Sequence, residues 1–118
     1  MLASEVGEAA DWTTAQPITV IAMEYAFAPS HLEFRRAAHY RLHIENRGKE
    51  THEFTAPEFF KTIEAGDWAP LNADHTEIDV QPGQQVDFYF IAKTAGAFPL
   101  RCADHDWAGM TGGIVVRP

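Results

Sequence analysis

Nine residues near the C-terminus, Cys102-Ala103-Asp104-His105-Asp106-Trp107-Ala108-Gly109-Met110, offer a thiolate, an imidazole and a thioether spaced as C-x2-H-x4-M. The segment begins at the end of a strand-like run and finishes just before another at Gly113, so one connecting loop can present all three groups around a single point. A lone cysteine at a strand end is more often a small buried hydrophobe than a ligand. With an imidazole and a thioether at these spacings, the set becomes that of a mononuclear electron-transfer copper site that still lacks a second histidine. His52 is the candidate. In Thr51-His52-Glu53-Phe54, strand alternation puts His52 on the face of the apolar Phe54, and Cys102 on the face of Phe98 and Leu100. Both side chains would point inward, and the metal would join two distant parts of the chain. Soft thiolate stabilises Cu(I) while imidazole suits both oxidation states, so a site fixed by its fold favours electron transfer over bond-making chemistry.

The elements that must position these groups read as β-strands. Tyr40, Leu42 and Ile44 alternate with Arg41, His43 and Glu45 ahead of an Asn46-Arg47-Gly48-Lys49 turn. Thr76 to Val80 alternates as cleanly and ends at Gln81-Pro82-Gly83, and Gln85 to Ile91 turns Val86, Phe88 and Phe90 to one face. Gly113 to Arg117 closes the chain as a last strand. Residues 57–74 break the pattern and are expected to form a short helical or irregular insertion, with a helix over Glu58 to Ala65. The reading is an all-β fold, a Greek-key β-sandwich, with residues 1–16 as an N-terminal extension and 17–118 as one copper-binding domain.

The stretch from Gly96 to Cys102 and on through Met110, Gly112, Val115 and Val116 resembles the C-terminal signature of the cupredoxins, the small type 1 (blue) copper proteins such as plastocyanin and pseudoazurin. The likeness continues through Tyr25-Ala26-Phe27-Ala28-Pro29, Asn46-Arg47-Gly48, Thr51-His52-Glu53-Phe54 and Gln81-Pro82-Gly83-Gln84, so it spans roughly Ile18 to Pro118. The resemblance implies a cupredoxin-like sandwich holding one copper ion, cycling between Cu(II) and Cu(I). His52, Cys102 and His105 would be its strong ligands and Met110 the weak axial one. It further implies a monomeric one-electron carrier between redox partner proteins, exported to the periplasm with its signal peptide removed, and not an enzyme. The alternative is a periplasmic copper-handling protein that binds and delivers Cu(I) without redox turnover. Three departures stand out. Glu53 occupies the place where plastocyanin-like proteins usually carry an asparagine that ties the ligand loop. Asp104, in place of a frequent proline, and Asp106 flank His105, and two carboxylates there would favour oxidised copper and lower the potential.

Composition agrees. With 17 acidic and 9 basic residues the formal charge is −8, which argues against a nucleic-acid binder. That charge reads equally as solubility or as steering toward a basic docking surface on a partner. No run of about 18 apolar residues exists to span a membrane. One cysteine excludes an internal disulfide. Among the remaining candidates, Glu53 as an oxygen ligand is disfavoured because parity turns it from His52's face. His31, His39, His43 and His75 read as surface, Met23 as core, and Trp12 and Trp68 as packing. Trp107 is singled out because it sits inside the ligand loop.

Overall fold

In the computed structural model, which describes residues 11–118, ten strands form two five-stranded sheets packed face to face. The first sheet takes the order β2 (Ala26–Ala28), β1 (Gln16–Met23), β4 (His39–Asn46), β8 (Gln85–Ala92), β6 (Ile63–Ala65). The second runs β3 (His31–Arg35), β10 (Thr111–Arg117), β9 (Gly96–Arg101), β5 (His52–Thr55), β7 (Glu77–Val80). The chain changes sheet at almost every connection, as a Greek-key sandwich requires. Much of the N-terminal extension lies outside the described residues; Trp12–Thr14 form a single 3-10 turn, and β1 already begins at Gln16.

The alternation read from sequence sets the faces. Tyr40, Leu42, Ile44 and Asn46 of β4 are buried while the residues between them are partly exposed. Phe88 and Phe90 on β8 meet Phe54 of β5, Ile78 of β7, Leu100 of β9 and Ile114 of β10 in one core. Phe34, Tyr40, Phe59 and Phe90 form its aromatic centre, with Phe34 and Phe90 edge to face at 5.0 Å.

Three expectations are corrected. The helix α1 covers only Pro57–Phe60, and Ile63–Ala65 is strand β6 on the edge of the first sheet. Phe59 and Phe60 are adjacent and both fully buried, which one inward-diving turn allows and a longer amphipathic helix would not. Met23 is 40% exposed, because Val20 and Ala22 take β1's inward positions and parity turns Met23 out. His43 does lie on the outer face, but it is wedged between Asp87 (Nδ1–Oδ1 2.7 Å) and Glu45 (Nε2–Oε2 2.9 Å). The Asp87 carboxylate, helped by Glu45, holds its imidazolium above the usual histidine range.

Register between β5 and β7 sets Thr55 opposite Glu77 and Glu53 opposite Asp79. Burial first, and then the neighbouring Asp79, push the Glu77 carboxyl up from 4.5 to about 7. Between those values the folded chain keeps a proton that the unfolded chain has released, so stability falls as pH rises through that window. Urea midpoints should therefore be lower at pH 8 than at pH 5. Glu77→Gln should shrink the difference, leaving the smaller part that His43 contributes; an equally steep fall in the variant would remove Glu77 as its source.

Candidate metal centre

The functional groups gather at the end of the sandwich where β1 and β4 finish together, as their parallel pairing dictates. His52 opens β5, Cys102 follows β9 and Met110 precedes β10. Thr55 pairs with Arg101 in antiparallel register, and continuing that register carries the loop after β9 back alongside Glu53 and His52. The loop is closed on itself by Cys102 N–H donating to Met110 O at 2.9 Å and His105 N–H to Cys102 O at 3.0 Å. A 3-10 turn, Asp106–Ala108, then ends at Gly109 in the left-handed region (φ 86°), where glycine carries no steric penalty. Gly112 is required for another reason: a Cβ there would overlap the Ser30 carbonyl.

Three predicted donors converge. The side-chain ligand atoms of His52, Cys102 and His105 all lie within 4.8 Å of one another, and all three residues are buried. Cys102 Sγ is 3.9 Å from His52 Nδ1 and 3.3 Å from His105 Nδ1. Met110 is fully buried, and its main chain is bonded to that of Cys102. Burial pushes the Cys102 thiol up to about 11, so without a metal it stays protonated and inert. The soft thiolate with two imidazoles is a donor set that fits a single copper ion.

Glu53 is where sequence reasoning fell short. Parity does turn it from His52's face, yet β5 is covered on both faces and Glu53 is only 4% exposed. Its Oε1 accepts Asp104 N–H at 3.0 Å and the Cys102 thiol at 3.3 Å, while its own N–H donates to Sγ at 3.4 Å. It thus ties the ligand loop to β5. Burial raises its carboxyl above the usual range.

The carboxylates that reach the histidines are not the flanking ones. Asp106 faces Arg101 at 4.0 Å, and Asp104 contributes its main-chain N–H to Glu53 and its carbonyl to Trp107 Nε1 at 2.9 Å. His105 Nε2 instead meets Glu50 Oε1 at 2.9 Å, and His52 Nε2 meets Glu24 Oε2 at 3.5 Å. Tyr25 donates its hydroxyl to Glu50 Oε2 at 2.7 Å and lays its ring 4.8 Å from that of His105. Trp107, 76% exposed, lies beyond Tyr25 at 5.9 Å. Glu50 stands two residues before His52, whereas Glu24 and Tyr25 carry no local spacing relation to the ligands. The one sequence signal is their place in turns next to strand ends.

No protein-family model matches the chain, and no curated protein matches it. Solved structures do. Auracyanin B superposes with a TM-score of 0.67 at 21% identity, covering 92% of this chain and 94% of its own. Auracyanin from the photosynthetic bacterium Roseiflexus castenholzii, in a dithionite-reduced crystal, gives 0.67 at 17% identity over 88% and 98%. The McoA multicopper oxidase of the hyperthermophile Aquifex aeolicus gives 0.70 at 13% identity over 92% of this chain but 31% of its own. At such identities the likeness establishes the fold, a cupredoxin-like β-sandwich.

Proposed function

We propose that this chain is a one-electron carrier holding one copper ion on His52, Cys102 and His105, with Met110 as a weak fourth donor. The observation that carries the reading is the convergence of one ring nitrogen from each of two imidazoles and one thiol sulfur within 4.8 Å, buried at the end of a cupredoxin-like sandwich. When bound, copper supplies reversible one-electron exchange between Cu(II) and Cu(I).

What the chain supplies is constraint. His52 is anchored in β5, Cys102 is tied to β5 through Glu53, and His105 is held between the closed loop and Glu50. Donors fixed from several elements move little when charge changes, and burial keeps water from taking their place. Tyr25 and Trp107, lying against or beyond the His105 ring with 36% and 76% exposure, offer an aromatic face on which a redox partner protein can dock. No described helix is long and apolar enough to cross a membrane, and the reading places the carrier in the periplasm.

Voltammetry tests the redox role. The copper-loaded protein should give a reversible one-electron wave, with slow metal loss to a Cu(I) chelator. An irreversible wave with rapid transfer to the chelator would favour copper delivery instead.

A further inference from the structure

We propose that Glu24 and Glu50 act together as positioning residues, a carboxylate brace that fixes the tautomer and orientation of both copper-site imidazoles before metal arrives. The inference rests on the reading of His52 and His105 as ligands. Each of these rings turns Nδ1 toward Cys102 Sγ, at 3.9 and 3.3 Å, and Nε2 toward a carboxylate oxygen, at 3.5 Å from Glu24 and 2.9 Å from Glu50. An ionised carboxylate only accepts hydrogen bonds, so each Nε2 must carry the proton and donate it. For a neutral ring that leaves the lone pair on Nδ1, aimed at the thiol sulfur. The carboxylates therefore select the tautomer that a metal needs.

The two carboxylates are one device. Glu24 Oε1 accepts the main-chain N–H of both Lys49 and Glu50, so the residue that orients His52 also anchors the backbone carrying the residue that orients His105. The second oxygen of Glu50 takes the Tyr25 hydroxyl, and Tyr25 is the neighbour of Glu24 in sequence. The turn is shaped to receive it: a Cβ on Gly48 would overlap the Glu24 carboxylate, and Gly48 N–H is held by Asn46 Oδ1 at 2.8 Å. With this brace in place His105 is only 8% exposed, so its outer nitrogen faces protein rather than water.

The test separates a hydrogen-bonding brace from a mere charge near copper. Glu50→Ala removes the acceptor, while Glu50→Gln keeps an acceptor oxygen and loses the charge; Glu33→Gln, at a distant exposed ion pair with Arg117, is the control. In the metal-free chain, nitrogen-15 NMR of the imidazoles should show both histidines as Nε2–H tautomers with slowly exchanging protons. Glu50→Ala should lose that protection at His105 and weaken Cu(II) binding by about 10- to 100-fold, measured against a competing chelator. Glu50→Gln should stay within about 3-fold of wild type, below the roughly 10- to 100-fold that loss of an outer partner costs. Wild-type affinity and tautomers in Glu50→Ala would overturn the brace, as would equal losses in the alanine and glutamine variants, which would assign the effect to charge. The ligand reading fails separately: protected Nε2–H tautomers in a chain that gives no coloured copper complex would refute the copper–thiolate site and leave the brace standing.

Discussion

Cys102→Ser is expected to leave a folded protein that binds copper weakly and shows no intense visible absorption. The sulfur sits in a fully buried position, receives Glu53 N–H and donates to Glu53 Oε1. A serine hydroxyl is close in size and can make both hydrogen bonds, so the fold should survive. What it lacks is the thiolate. A hydroxyl stays protonated at neutral pH, and the strong band of a copper–thiolate site is a sulfur-to-copper charge transfer that oxygen cannot reproduce. The loss of affinity should exceed the roughly 10- to 100-fold that removal of an outer partner costs. Circular dichroism and a copper titration would check both halves. A coloured serine variant would take Cys102 out of the site.

Asn46→Ala should have the largest effect on stability. The side chain is 2% exposed at the end of β4. Its Nδ2 donates to Val80 O in the opposite sheet and to Glu50 O, both at 2.8 Å, and its Oδ1 accepts Gly48 N–H at 2.8 Å. It therefore locks the two sheets together at the copper end and sets the turn that presents Glu50. Alanine leaves a buried Val80 carbonyl without its partner, at about 1–3 kcal/mol, and the loosened turn adds to that. A total loss of about 3 kcal/mol in urea unfolding is expected, with weaker copper binding as its companion. A loss below about 1 kcal/mol, the net worth of one ordinary hydrogen bond, would show that water replaces these bonds.

Much of this could be read from the sequence because its signals are local. Alternation in β4, β7 and β8 reports burial directly, since a strand turns every second residue to one face. The C-x2-H-x4-M spacing is equally local: one loop, closed by its own hydrogen bonds, brings Cys102 and His105 together and ties the Met110 main chain to Cys102. What escaped was set by distant neighbours. Parity turns Glu53 from His52's face and disfavours it as a ligand, but the loop after β9 folds back over β5 and buries it against that loop. The carboxylates expected to act on His105 were its sequence neighbours. In space Asp106 faces Arg101, and Glu50 and Glu24 arrive from other turns. The helix expected over Glu58 to Ala65 shrank to one turn because Phe59 and Phe60 both enter the core and β8 offers an edge to Ile63–Ala65. Propensity yields to tertiary packing there.

The central claim is that His52, Cys102, His105 and Met110 hold one copper ion, and stepwise addition of Cu(II) to the metal-free protein tests it most directly. An intense blue-to-green band should grow linearly, saturate at one equivalent and bleach reversibly on reduction. A colourless complex, or no saturation at one equivalent, would contradict it.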